Sequence, residues 1–142
     1  MIFKIECASE TDWNKIPDLI KQFDLDTADL KQEQFVVCKS GDVLCGFGRI
    51  RNFDGFDLFS SLCVLPEYRN HQAASLIINE LLLRAKQDVY FVTAVPAFFR
   101  KKGFEEIQHV PAPLKAIAEK CALSCACTPS VMRYQKAAMQ RG

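Results

Sequence analysis

Residues 63–78 read Cys63-Val64-Leu65-Pro66-Glu67-Tyr68-Arg69-Asn70-His71-Gln72-Ala73-Ala74-Ser75-Leu76-Ile77-Ile78. An apolar strand closes at Val64-Leu65, Pro66 ends its pairing because proline has no N–H to donate, and an apolar helix opens within about eight residues. The stretch is a strand-turn-helix hinge. A helix start leaves its first N–H groups without intrahelical partners and carries the positive end of the helix dipole. The turn therefore predicts a cradle for a phosphate group. The competing reading is a strand-to-helix turn that binds nothing.

Working outward, the helix after the hinge carries Ala73, Ala74, Leu76, Ile77, Ile78, Leu81, Leu82, Leu83 and Ala85. It is apolar on more than one face, as a helix lying on a sheet under neighbours must be. Upstream, Phe35-Val36-Val37-Cys38 and Val43–Arg51 read as two strands joined by Ser40-Gly41-Asp42, and Asn52-Phe53-Asp54-Gly55 turns the chain into the run from Phe56 to Leu65. Three antiparallel strands thus feed the hinge. Downstream, Asp88–Ala94 is a strand separated from its predecessor by a helix and so expected parallel to it. Residues 97–103 predict a short helix capped by Gly103, and Phe104–His109 another strand.

At the N-terminus, Phe3, Ile5 and Cys7 alternate with Lys4 and Glu6 as a strand over residues 2–7. Ser9 with Asp12 has capping-box spacing, and Ile16, Leu19, Ile20 and Phe23 recur at helical spacing. Pro17 fits if it lies in the first turn of that helix. At the other end, Pro111-Ala112-Pro113 opens a short helix through about Glu119. A segment with Cys121, Cys125 and Cys127 follows, and Val131–Lys136 reads as a closing strand.

Val64-x-Pro66-x-x-Arg69 before an Ala-rich helix resembles the fingerprint of the GCN5-related N-acetyltransferases, V-x-P followed by R-x-x-G-x-G/A. The first loop glycine is replaced by Gln72, and Ala74 fills the second position. Phe98-Phe99-Arg100-Lys101-Lys102-Gly103-Phe104 is similar to a second segment of that family, which closes over the pantetheine arm. The resemblance covers roughly residues 35–110, and the tail is similar to that of short N-acetylglutamate synthase-like amino-acid acetyltransferases. It implies one acetyltransferase-like domain over residues 1–142, an α/β (α+β) fold with a mixed, mostly antiparallel sheet of six or seven strands flanked by helices. It also implies acetyl-CoA as co-substrate and a small-molecule amine or amino acid as acceptor. The implied cofactor residues are Cys63, Val64, Arg69, Asn70, His71, Gln72, Ala73, Ala74, Ser75 and Phe99. A homodimer is left open.

The bulk properties agree with a globular domain. Of 142 residues, 49% are hydrophobic and 25% charged, and a chain this long buries a sizeable core. No apolar run spans a bilayer and the first residues lack signal-peptide order, so neither a membrane nor export is expected and the chain reads as cytoplasmic. The net charge of +1 gives no reason to expect nucleic acid as a partner. Seven cysteines without a leader read as reduced thiols, with Cys7, Cys38, Cys45 and Cys63 in the core.

Arg49 and Arg51 share one face of their strand. Their forked guanidiniums suit a substrate carboxylate, whereas a solvated sheet face is the structural alternative. No catalytic acid or base is identifiable. The position where the family often carries a glutamate falls near Leu58, with Asp57 facing the other way, and the family tyrosine position is Phe99. A coenzyme A-binding or protein-interaction module that has lost the reaction is therefore the alternative function. Cys121, Cys125, Cys127 and His109 number as many ligands as a structural zinc takes, but without paired C-x-x-C spacing they read as packed thiols, and no metal is expected.

Overall fold

The computed structural model describes residues 2–23, 25, 29–69, 72–93, 95–108, 110, 112, 114–116 and 130–135. Among the described residues the strands and α-helices follow one another as β1 (Lys4–Cys7), α1 (Glu10–Trp13), α2 (Ile16–Gln22), β2 (Phe35–Ser40), β3 (Val43–Phe53), β4 (Phe56–Val64), α3 (Ala73–Arg84), β5 (Val89–Thr93), α4 (Pro96–Arg100), β6 (Glu105–Glu106) and β7 (Ser130–Tyr134). Hydrogen bonding orders the strands β1-β2-β3-β4-β5-β7-β6 in one seven-stranded sheet. β1 with β2, β2 with β3, β5 with β7 and β6 with β7 all pair antiparallel. The expected mixed α/β architecture is met. β6 is shorter than the predicted 104–109, and the predicted 2–7 strand begins at Lys4.

The chain divides into two compact units, Met1–Arg51 with Phe59–Ala85, and Asn52–Leu58 with Lys86–Gly142. In the first unit both faces of β3 are covered. Phe47 joins Phe35, Val37, Ile16, Ile20, Leu44 and Cys63 in one core, with Trp13 against the Phe35 ring at 5.6 Å. Gly46 and Gly48 alternate with Phe47 and so face the other way, toward α3. A Cβ on Gly48 would lie 2.5 Å from Ile77 Cγ2, and one on Gly46 only 2.6 Å from the Cys63 carbonyl oxygen. Helix α3 thus lies on backbone, and Ile77, Ile78 and Leu81 are fully buried beneath it.

Cys7 corrects the sequence reading. It is exposed, at the end of the strand that begins the sheet order, while Cys38, Cys45 and Cys63 are buried as predicted. Its partner residue Val36 is covered, but β1 stands first in the sheet order and, among the described residues, pairs with β2 alone.

The capping box at α1 forms as predicted. The Ser9 amide donates to Asp12 Oδ2 at 2.9 Å and the Asp12 amide to Ser9 Oγ at 3.2 Å. Lys39 Nζ lies 2.9 Å from the other Asp12 oxygen, so the buried carboxylate joins α1 to β2. Burial alone would raise the Asp12 carboxyl. The hydrogen bonds from the Ser9 backbone and from Lys39 outweigh it and hold the group below the usual carboxylate range.

In the second unit Phe56, Leu58 and Leu114 pack with Phe53, Tyr90 and Val110. Beneath them Asp57 is fully buried and accepts from Asn52 Nδ2, the Lys86 and Gln87 amides and Gln87 Nε2. The carboxylate is therefore consumed in shaping the turn before β5. Helix α4 ends in the closure that Gly103 predicts: Gly103 has φ +96°, its amide donates to the Arg100 carbonyl at 3.1 Å and the Phe104 amide to the Phe99 carbonyl at 3.0 Å. This is a Schellman cap, and the accompanying apolar contact is Phe99 on Phe104.

Two substitutions test this packing. Gly46→Ala meets the Cys63 carbonyl oxygen, and Gly48→Ala meets the Cγ2 methyl of Ile77, which sits on a β-branched carbon of a buried helix face and has no freedom to swing away. Urea unfolding should show each variant losing about 1–3 kcal/mol; equal stability of either variant and the parent would contradict the packing. For Asp12→Asn, a loss of about 1–2 kcal/mol is expected at pH 7. Because the folded carboxyl titrates below its unfolded value near 3.9, that advantage is complete above about pH 5 and fades as pH falls through the lowered value. A difference independent of pH would show that the charge is not what matters.

Candidate active site

The hinge is built by three devices. β4 ends at Val64, and the Leu65 amide still donates to the Cys45 carbonyl at 2.8 Å, so the last pairing with β3 holds the strand end in place. Pro66–Tyr68 then forms a single 3-10 turn, with the Tyr68 amide donating to the Leu65 carbonyl at 2.9 Å. Arg69 folds back, its Nε donating to the Val64 carbonyl at 3.0 Å.

The third device is Gln72. It adopts φ 67° and ψ 10°, the left-handed region, immediately before α3. A non-glycine residue there costs roughly 1–2 kcal/mol. The Gln72 carbonyl accepts the first helical bond, from the Leu76 amide at 3.1 Å, and its side chain caps nothing. The amides of Ala73, Ala74 and Ser75 precede the first helical donor and have no side-chain cap, which is the arrangement an anion takes up at a helix start.

The predicted site residues separate on burial. Ala73 is buried, Ala74, Ser75 and Val64 are half-buried, and Arg69 and Gln72 are exposed. Cys63 is buried in the core, where burial pushes its thiol up to about 11 against the opposing charge of Arg69. It remains a neutral packing group at ordinary pH. Asn70, His71, Cys121, Cys125, Cys127 and His109 lie outside the described residues. In the other unit Phe99 is buried between Phe91, at 4.4 Å between centroids, and Phe104, at 5.5 Å.

Arg49 departs from the solvent-face alternative. It is wholly buried, its Nε donates to Gln34 Oε1 at 2.7 Å, its Nη2 to the Asp29 carbonyl at 2.8 Å, and the guanidinium lies over the Phe35 ring. Its fork is engaged in joining β3 to the segment before β2, which leaves it unsuited to a substrate carboxylate. Arg51 is half-buried on the same strand.

Sequence reasoning also passed over Ser60 and Ser61. Ser61 has φ 52° inside β4, a second left-handed non-glycine residue in the strand that leads to the hinge. Two adjacent hydroxyls in an otherwise apolar run were the available signal.

A family model described as an acetyltransferase (GNAT) domain matches residues 31–106, more than half of the chain. The chain belongs to the GNAT acetyltransferases. Family members draw their acetyl group from acetyl-CoA, and the match spans β2 to β6 with the whole hinge inside it. Compared by sequence with curated proteins, the chain matches none. Among solved structures it resembles N-acetylglutamate synthase of Neisseria gonorrhoeae, complexed with coenzyme A and N-acetyl-glutamate, with a TM-score of 0.74 at 13% identity. That alignment covers 95% of this chain and 35% of the synthase, so the chain spans about a third of the synthase's length. The Rv2747 protein of Mycobacterium tuberculosis, solved with CoA, gives a TM-score of 0.75 at 19% identity over 93% of this chain and 98% of that one. The ribosomal-protein-S18-alanine N-acetyltransferase of Escherichia coli gives 0.64 at 11% identity, covering 94% of each. At these identities the likeness is one of fold.

The Gln72 strain yields a test at the hinge itself. Gln72→Gly removes the left-handed penalty and lets a ligand approach the backbone, so the variant should be more stable by up to about 1–2 kcal/mol and bind coenzyme A up to about tenfold more tightly. Calorimetric titration of both proteins measures it. Weaker binding by the glycine variant would mean that the Gln72 side chain, rather than the backbone, serves the ligand.

Proposed function

We propose that this GNAT protein transfers the acetyl group of acetyl-CoA to the primary amine of a small molecule, an amino acid being the acceptor class favoured. The observation that carries the reading is the start of α3. A left-handed residue with no capping side chain leaves three successive amides for a diphosphate, within the segment that matches the family. Residues 69–75 would hold the pyrophosphate through backbone N–H groups and the helix dipole.

The amino-acid acceptor rests on fold relatives. The gonococcal synthase was solved with N-acetyl-glutamate and, in a second structure, with L-arginine. With Arg49 engaged internally, Arg51 is the remaining cation of the predicted pair for an acceptor carboxylate.

In the reaction a neutral amine attacks the thioester carbonyl carbon, the N–C bond forms, the C–S bond breaks, coenzyme A leaves as its thiolate, and the proton lost by the nitrogen passes to water. Holding the reactants in line supplies about 7–11 kcal/mol of the barrier without a dedicated acid or base. One specific observation favours the second reading, a coenzyme A-binding module without turnover: Leu58, near the family's glutamate base position, and Phe99, at its tyrosine acid position, are buried apolar side chains.

The deciding experiment is a turnover assay with acetyl-CoA against amino acids, polyamines and lysine peptides, preceded by calorimetry with coenzyme A. Acetylation of an amino acid is expected. Best activity on a polyamine or lysine peptide would sink the acceptor class; binding without turnover of any amine would move the protein to the second reading.

A further inference from the structure

Among the described residues, a single buried side-chain nitrogen or oxygen atom lacks a hydrogen-bond partner, and it is Ser60 Oγ. A hydroxyl shielded from water and left unpaired is a net loss to the folded protein, and natural structures keep few such atoms unless a ligand or a function supplies the partner. Ser60 is flanked by two features that make its position specific. It precedes Ser61, whose φ of 52° interrupts the regular extension of β4. It also lies four residues before Val64, where the hinge begins, at most about 13 Å away for a fully extended strand at 3.3 Å per residue.

We propose that the Ser60 hydroxyl is the hydrogen-bond donor for the sulfur of bound coenzyme A. The inference rests on the reading above, in which the diphosphate occupies residues 69–75. With that end anchored at the start of α3, a pantetheine arm stretched back along β4 carries its sulfur end to the neighbourhood of Ser60. Sulfur is where a donor matters most. When the amine nitrogen bonds to the carbonyl carbon and the tetrahedral adduct collapses, the electron pair of the C–S bond moves onto sulfur. A fixed O–H then stabilises the forming thiolate more than it stabilises the weakly accepting thioester. The hydroxyl keeps its own proton; the proton lost by the amine leaves through solvent, and the thiolate is protonated from water after release. Neither redox chemistry nor covalent attachment to the enzyme is involved.

The test compares coenzyme A with desulfo-coenzyme A, which lacks only the sulfur, by calorimetry at pH 7 and pH 9 on the full chain, with Ser60→Ala and Ser60→Thr alongside it. The parent protein should prefer coenzyme A at pH 9, where the thiol ionises, by about tenfold. Ser60→Ala should abolish that preference while binding desulfo-coenzyme A as the parent does, and Ser60→Thr, which keeps the hydroxyl, should retain most of it. Thermal melting without ligand should leave Ser60→Ala as stable as the parent or more so. The proposal is overturned if parent and alanine variant show the same preference, or if the alanine variant melts several degrees lower, since the hydroxyl would then have a structural partner. Failure of the parent to bind either compound would overturn the cradle as well, which separates that outcome from failure of the Ser60 contact alone.

Discussion

The approach of α3 to β3 is the constraint on which the hinge depends. With hydrogen in place of a side chain at Gly46 and Gly48, the helix settles directly on the strand, and Ile77, Ile78 and Leu81 are removed from water. Burying three such side chains stabilises the arrangement by about 5–9 kcal/mol at 1.5–3 kcal/mol each, an upper bound because the unfolded chain already hides part of that surface. The helix position then dictates how the chain must arrive from Val64. The arrival requires a left-handed residue at position 72, and the roughly 1–2 kcal/mol that glutamine costs there is small against the packing that demands it.

The same close packing explains where the polar residues of this unit went. An arginine on a strand suggests either a site for a carboxylate or a solvated face, because antiparallel sheets often expose one face. Here β3 is covered on both, by the Phe35–Phe47 core and by α3. Arg49 shares the parity of Phe47 and so enters that core, and complete burial of its guanidinium is tolerated because Gln34, the Asp29 carbonyl and the Phe35 ring meet it. Asp57 follows a parallel logic in the other unit, where two backbone amides and two side-chain amides meet one carboxylate. Neither outcome is written in local periodicity, which says that a residue points inward without saying what awaits it.

What was legible in the residues is what local chemistry decides. The Ser9–Asp12 box, Pro17 in the first turn of α2, the Gly41 and Gly55 turns and the Gly103 cap all formed where residue type predicts them. The hinge was legible for the same reason, since Pro66 and the apolar helix behind it fix strand end and helix start. Less was legible at long range. Cys7 looked like a core residue by alternation, but β1 stands first in the sheet order and its terminal side chain is exposed. At Ser60 and Ser61 the only local signal is a pair of hydroxyls within an apolar run, which does not say what the pair does. Only the absence of a partner for one hydroxyl, and the unusual backbone of the next residue, give the pair meaning.

The hinge also bears on how acyl transfer proceeds without an evident acid or base. Aminolysis of a thioester is a reaction in which positioning does much of the work, because thiolate is a good leaving group near neutral pH and a neutral amine is a good nucleophile. The demands on the protein reduce to anchoring the donor, fixing the direction of its arm and offering a donor where negative charge appears. On the reading proposed above, the first falls to amides that cannot titrate and the second to a strand whose end is pinned by the bond from Leu65 to Cys45. Neutral groups of this kind hold their state across the physiological range, and on that reading the ionisation of the acceptor amine is what sets the pH dependence. In a site of this design, buried Cys63, with its thiol pushed up to about 11, is an inert wall of the core and takes no part as a nucleophile.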